Sequence, residues 1–520
     1  MTKKIIAAAL FACTAFTTAN AGGMLTNTNQ SVAFLRNPAR DAAIGIDGVY
    51  NNPAGVALMS NGFHIGVNWQ TAIQTRTVET TSPFLDHTLS TLDPNGTPRP
   101  DVEFPTKSYR GHATAPIIPS VQAAYNMNKW SFQFNFSVTG GGGKCEFSKG
   151  LGSFENAIGQ ICSRLRALGA MGYSVDNFME GSQYYYGITL GTAYKAIDKK
   201  DFKVSVYGGL RGLIGSANYK AQIKDIQVAT SEGLKNLSDF LDKQNNTFNT
   251  VIATRDQFID KYPVLKQFKD NNLVAPGLTE AQQDLIIAAV EGYPMAVAAQ
   301  QQIAPLAAYR NGIDLECDQS GFGIAPILGL DIQYKRFNFA AKYEFRTKMN
   351  LKNSSNLEES SIPQTAQFVN GTKVREDSPA LLALGVQYTP VDIVHLNLGY
   401  HHFYDKSSKK FGNKQDLLSG GTNEYLGGVE VDVTDRLIVS CGAQLTRYGL
   451  TDDYMSDVSF VTNSWSFGFG ASYQANPNVK IEAGYFKTFY DKYKTAVTNG
   501  ISNEFARSND VIGVGLVIDL

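Results

Sequence analysis

The sequence predicts an all-β chain: a 14-stranded antiparallel transmembrane β-barrel with an N-terminal hatch, or plug, and helix-containing extracellular loops. Three observations predict it. Segments with aromatic residues at alternate positions recur along the chain. Short turns alternate with long connections. A stretch rich in Gly, Ala, Asn and Ser, neither a clean helix nor a clean strand, precedes the first strand.

Residues 1–21 read as a secretory signal: Lys3 and Lys4, an apolar run from Ile5 to Phe16, then Ala19-Asn20-Ala21, with cleavage after Ala21. A competing lipoprotein-type reading uses Leu10-Phe11-Ala12-Cys13 but leaves a shorter apolar region. Residues 22–61 form the hatch, with Asn51-Asn52-Pro53-Ala54-Gly55 as its landmark. Asn-Pro and Ala-Gly also form ordinary turns, which is the competing reading of that motif. Beyond residue 21 no apolar run approaches the about 18 residues that a membrane helix requires. A mean hydropathy of -0.18 would place the chain among soluble proteins, but a barrel escapes that test because only alternate residues face lipid. With a net charge of -1 and no long basic run, nucleic-acid binding is not indicated.

Residues 62–520 supply the barrel. In the first strand Phe63, Ile65, Val67, Trp69 and Ile73 share one face, and His64, Gly66, Asn68, Gln70 and Gln74 share the other. The same alternation returns after Trp130, Phe337 and Trp465. In a soluble sandwich the aromatic face would point to a core. Here the opposite face carries Gly, Asn, Gln, Lys and Glu, as a wet or plugged lumen requires. Strands are expected near residues 62–78, 106–126, 129–140, 183–195, 202–219, 321–334, 337–349, 378–389, 393–403, 424–433, 436–447, 464–474, 478–489 and 509–520. Tight turns fall at Asn126-Met127-Asn128-Lys129, Asp198-Lys199-Lys200-Asp201, Tyr334-Lys335-Arg336, Thr389-Pro390-Val391-Asp392, Thr434-Asp435 and Asn476-Pro477-Asn478. Every other connection is longer, which assigns the short turns to the periplasmic side.

Asn52-Pro53-Ala54, set after Gly/Ala-rich sequence and before a strand opening Gly62-Phe63, resembles the hatch of the FadL-type outer-membrane transporters. The strand number and the two largest loops, residues 140–182 and 220–320, extend the resemblance over essentially the whole chain after the signal. The resemblance implies passive uptake of fatty acids or of aromatic and other apolar compounds across the outer membrane of a Gram-negative-type bacterium, with no enzyme activity and no cofactor. It implies capture by outer loops, a lumen pocket, movement of the hatch and a lateral exit. The implied partners are a hydrophobic small-molecule or lipid ligand, outer-membrane lipid and the barrel assembly machinery. The last strand ends in Leu520 rather than in the usual aromatic, a departure from the assembly signal. A polar-solute porin, with an open lumen, and a structural or adhesive surface protein are the alternative functions.

No catalytic constellation is present: there is no G-x-S-x-G, and His401 and His402 on one strand point to opposite faces and do not chelate one metal. No CxxC spacing argues for a metal either. Cys145 and Cys162 fall in one loop and are disulfide candidates, although four cysteines after the signal allow three pairings. Both large loops carry helix signals: a stripe of Phe154, Ile158, Ile161 and Leu165, and a capping box at Thr279-Glu280-Ala281-Gln282 ahead of Leu285 and Ile286. These stripes either pack the loops together or line an apolar groove above the barrel mouth. Gly140, Gly141, Gly142 and Gly143 end the third strand, as a flexible loop start or as a wall defect; the resemblance implies a lateral exit there. Strand parity turns Arg211, Lys342 and Arg346 inward. They are candidates for a ligand carboxylate, or for lumen salt bridges to Glu344, Asp41 or Asp47.

Overall fold

The computed structural model describes residue 24, residues 26–360 and residues 362–520; the expected signal at residues 1–21 lies outside the described residues. Residues after the plug form one closed antiparallel sheet of fourteen staves. The first five are β1 (Gly62–Thr81), β2 (Thr106–Met127), β3 (Trp130–Phe147), β4 (Gly172–Lys199) and β5 (Phe202–Thr230). Next come β6 (Ile313–Tyr334), β7 (Phe337–Glu344, continued by Asn350–Ser355) and β8 (Lys373–Arg375, continued by Leu381–Val391). The last six are β9 (Val394–Phe403), β10 (Thr422–Thr434), β11 (Leu437–Arg447), β12 (Ser464–Asn476), β13 (Val479–Tyr490) and β14 (Ser502–Asp519). β1 closes the cylinder by pairing with β14 from His64↔Asp519 to Thr81↔Ser502. All fourteen expected strands are present in order. At one end, six connections contain two residues each, between β2 and β3, β4 and β5, β6 and β7, β8 and β9, β10 and β11, and β12 and β13. Asn128 and Lys335 take the positive φ, 55° and 51°, that such tight turns demand.

The sheet is inside out. Along β1, His64, Asn68, Gln70, Gln74 and Arg76 are buried, while Phe63, Val67, Trp69 and Ile73 are exposed. The exposed aromatic and aliphatic residues on the other staves, among them Trp130, Leu210, Phe322, Phe339, Trp465 and Ile512, continue the same outer band. That band is the lipid-facing surface of a membrane barrel. Its upper limit is marked on β5 and β6. Leu210 and Ile214 give way on the same face to Asn218, Lys220 and Gln222, which bond across to Asp318 at 2.8 Å, Glu316 at 2.6 Å and Asp314 at 2.8 Å. A ladder of polar cross-strand pairs suits water. The staves therefore run past the membrane, and the two large connections shrink from the expected 140–182 and 220–320 to 148–171 and 231–312.

Inside the cylinder the plug folds around α1 (Val32–Arg36), capped by Ser31, whose hydroxyl accepts from the Phe34 N–H at 3.2 Å. Outside, α2 (Gly152–Arg164), α3 (Leu237–Phe258), α4 (Tyr262–Asp270) and α5 (Glu280–Ile303) form a crown on the tall staves. The capping box at Thr279 and Gln282 starts α5 as its sequence predicts, with both reciprocal bonds present. The stripe Phe154, Ile158, Ile161 and Leu165 is buried in the crown core with Leu237, Phe240 and Leu241. It does not line an open groove. Ile286 is buried in a separate small core with Leu265 and Ile287, and only Leu285 is exposed. Cys145 on β3 and Cys162 on α2 share the crown core as free cysteines rather than as a bridge, each packed among apolar side chains.

Glu155 on α2 accepts hydrogen bonds from His87 at 2.5 Å, Tyr109 at 2.6 Å and Lys107. Burial alone would raise this carboxyl, but the three donors outweigh burial and hold it at about 2, below its ordinary 4.5. A depressed carboxyl contributes stability above its unfolded value and loses it as pH falls toward the folded one. Pepsin cleavage in residues 148–171 should therefore increase between pH 4.5 and about 2, and Glu155→Gln should flatten that dependence. An unchanged acid profile in the variant would remove Glu155 as the cause. On intact cells, an impermeant maleimide should label a cysteine placed at exposed Leu273 but not one at Lys200, in a background without native cysteines. Equal labelling would refute the assigned orientation.

Candidate functional site

The wall is incomplete at one place. β2 and β3 pair from Met127↔Trp130 to Val121↔Phe136, then stop, and resume only at Thr114↔Lys144. Two causes lie in the sequence. β2 carries Pro116 and Pro119, which have no N–H to give to a ladder. β3 carries Gly140 to Gly143, where the register against β4 slips twice, between Val138 and Gly140 and between Gly141 and Lys144. Gly141 and Gly143 take φ of 75° and 74°, a region that suits glycine. The expected loop start is therefore a kink within a stave that continues to Phe147, and the glycines sit at a wall defect.

The inner side of this opening is stopped by the first residues of the plug. Thr26 bridges to Gly140, and the Asn27 N–H donates to the Thr139 carbonyl at 2.8 Å. Asn27 Nδ2 donates to the Gly141 carbonyl at 2.9 Å, and Gln30 Nε2 to the Val138 carbonyl at 3.0 Å. From the opposite edge Ser120 Oγ donates to the Gln30 carbonyl at 2.5 Å, and from β1 Gln70 Nε2 to the Asn29 carbonyl at 2.9 Å. Residues 26–30 thus take up hydrogen-bonding groups that the missing ladder leaves over.

The rest of the plug is held by charge. Arg36 meets Glu430 at 2.8 Å and Glu482 at 3.0 Å. Arg40 meets Glu430 at 2.6 Å and Asp47 of the plug at 2.8 Å. Asp41 lies 2.9 Å from His401, whose other ring nitrogen is 2.8 Å from Glu424. His402 points to the outer face, as alternation requires. Sequence reading missed these clamps. Parity shows which side chains face inward, but not which of them meet.

The landmark motif is a docking foot. Asn52 Nδ2 donates to Asp331 at 2.5 Å, and the Pro53 and Ala54 carbonyls accept from Gln133 at 2.7 Å and Ser205 at 2.6 Å. Ala54 is fully buried against Ala193, Tyr207 and Ile327, and a Cβ on Gly55 would collide with Asn52 and Asp331. Of the three basic candidates, Arg211 and Lys342 converge on Glu344 at 2.5 Å and 2.9 Å. Both lie over the ring of Tyr50 in the plug, at 5.0 Å and 4.7 Å. They form a lumen salt bridge to Glu344; Asp41 and Asp47 are engaged elsewhere. Arg346 falls in the break between the two segments of β7, where it is half-buried and pairs with buried Asp377 at 3.6 Å.

Overpacking a filled site costs typically about 1–3 kcal/mol. Ala54→Leu should therefore loosen the plug while the barrel still assembles, read as faster proteolysis within residues 26–60 at unchanged heat-modifiable migration. Unaltered protection would return the motif to an ordinary turn.

No family model matches the chain, and no curated protein matches it by sequence. Solved structures do match. A Pseudomonas aeruginosa FadL homologue aligns over 97% of this chain and 100% of its own, at 11% identity and a TM-score of 0.53. The P. putida toluene transporter TodX aligns over 92% and 94% at 13% identity and 0.47, and the Ralstonia pickettii toluene transporter TbuX over 92% and 97% at 12% identity and 0.46. The first of these carries the comparison, and at its identity it speaks for architecture. Fourteen staves, a plug held in the lumen and a chain-long alignment make this the FadL-type fold.

Proposed function

We propose that this chain is a passive channel of the bacterial outer membrane for hydrophobic molecules, which leave its lumen sideways between β2 and β3. The observation that carries the reading is the interrupted β2–β3 ladder, stopped from inside by residues 26–30. The fold shared with the FadL homologue supports it. A polar-solute porin would need an open water path, whereas this lumen is occupied by an ion-paired plug. Delivery straight down would expose an oily molecule to periplasmic water, at about 25 cal/mol per Å² of apolar area. A fatty chain of some hundreds of Å² would lose several kcal/mol on that path. A lateral path keeps it in apolar surroundings.

The contacts suggest how the stopper moves. Residues 26–30 are held by neutral hydrogen bonds, and Asn27 Oδ1 and Thr28 Oγ1 are buried with no partner among the described residues. Residues 36–41 are clamped to the wall by ion pairs, and residues 52–54 by the hydrogen-bonded foot. Retreat of the stopper alone opens the gap and leaves the clamped body in place.

A Cβ on Gly141 would collide with the Gln183 carbonyl, and its φ of 75° disfavours any branched residue. Replacing Gly140 and Gly141 with Val should force β3 into a regular register. Uptake of a labelled hydrophobic compound by intact cells should then fall by about tenfold or more, while binding to detergent-solubilised protein persists. If binding and uptake fall together, the glycines serve the lumen or folding; if neither changes, the opening is not the exit.

A further inference from the structure

The connection from β11 to β12 turns inward. Nine consecutive residues of it, 454–462, are buried, although none belongs to a helix or strand. Irregular connections normally run over the surface, where water satisfies their backbone groups. This one packs on the lumen wall. The Phe460 ring lies 4.8 Å from that of Phe505, its face is 5.7 Å from the Arg76 guanidinium, and its carbonyl accepts from Arg507 Nη1 at 3.5 Å. Arg76, Phe505 and Arg507 are inward residues of β1 and β14. The two ends of the connection are tied down. The Tyr448 N–H donates to Asn463 Oδ1 at 2.9 Å across its base, and Asp452 accepts from the Tyr493 hydroxyl at 2.7 Å and the Ala496 N–H at 2.8 Å.

The buried tip joins the crown to the plug. Val458 lies in the crown core, and Asp457 Oδ2 accepts from the Ser153 N–H, at the start of α2, at 2.7 Å. Tyr454, Met455, Phe460 and Val461 lie in a separate cluster together with Met24. Met24 stands two positions before Thr26, where the stopper of the β2–β3 opening begins. The tip is held there at a cost. Asp457 Oδ1 and Thr462 Oγ1 are buried with no partner, and burying a polar group unpaired is unfavourable. Swinging the tip outward returns both to water, and a hydrophobic molecule entering from the crown can cover the apolar surfaces that it leaves. Such a molecule shifts the equilibrium because it fits the displaced state better than the buried one. Resting on the reading of the chain as a channel for hydrophobic molecules, we propose that residues 454–462 form an upper gate coupled to the stopper. Cargo displaces the tip, Met24 loses its packing, and residues 26–30 are freed from the opening.

Two experiments on the full chain test this. Ser153→Cys with Asp457→Cys, in a background without native cysteines, places a bridge across the observed contact. Oxidised, the pair should cut uptake of radiolabelled dodecane and naphthalene by intact cells at least about tenfold, and dithiothreitol should restore it. A pair that oxidises without lowering uptake overturns the gate. So does a pair that does not oxidise, or a loss that reduction fails to restore in chains of normal heat-modifiable migration. In the purified barrel, replacing residues 454–462 with nine Gly and Ser residues should raise amide hydrogen exchange at residues 26–30 at least about tenfold and leave residues 36–41 unchanged. Unchanged exchange at residues 26–30, or an equal rise in both segments, overturns the coupling to the stopper. Failure of the unaltered chain to take up either hydrocarbon overturns the channel reading itself, and the exchange result then decides the coupling alone.

Discussion

Glu430 accepts both Arg36 and Arg40, and the rest of the molecule depends on that junction between plug and wall. A sheet closed with its apolar face outward has a polar face to satisfy inside. Water could do this in an open pore, but here the plug supplies the partners. Removing one member of a buried ion pair typically costs about 3–5 kcal/mol, because the other charge is left stranded. The plug is therefore no separable cork. Its arginines and the inward carboxylates of β10 and β13 are each expensive alone, and plug and barrel settle together.

The attachment is uneven, and the unevenness has a location. Charged contacts hold residues 36–47, and the foot at Asn52 to Ala54 holds the short-turn end through Asp331, Gln133 and Ser205. Toward residue 26 the contacts are neutral, and several lead to backbone carbonyls of a stave whose own ladder is broken. Net contributions of such bonds are about 0.5–1.5 kcal/mol each, against more for charged ones. Local opening concentrates where contacts are fewest and weakest.

Much of this was legible in the sequence, for a reason that also sets the limit. Alternation of Phe, Tyr and Trp with polar residues exposes each stave, because lipid and lumen impose opposite demands on adjacent positions. The lengths of β4, β5 and β6 were not legible, since above the membrane both faces become polar and the alternation fades, as at Lys220 opposite Glu316. Gly140 to Gly143 marked the wall defect, but the prolines of β2 that complete it went unread. The stripe at Phe154 to Leu165 looks the same whether it lines a groove or fills a core, so amphipathicity could not decide between them. Arg36 and Glu430 lie 394 positions apart, and no local pattern joins them.

The tall staves have a consequence of scale. β5 has 29 residues, a contour of roughly 95 Å at about 3.3 Å per residue. At a tilt of about 45° it stands roughly 65 Å high, against an apolar band about 25 Å tall. More than half of this stave therefore rises above the apolar band, and the opening between β2 and β3 lies well below its tip. In the proposed route a cargo never traverses the full bilayer inside protein. On that route the barrier passed is the hydrophilic layer above the hydrocarbon, and the barrel would act as a chimney that releases its cargo into the membrane's own interior.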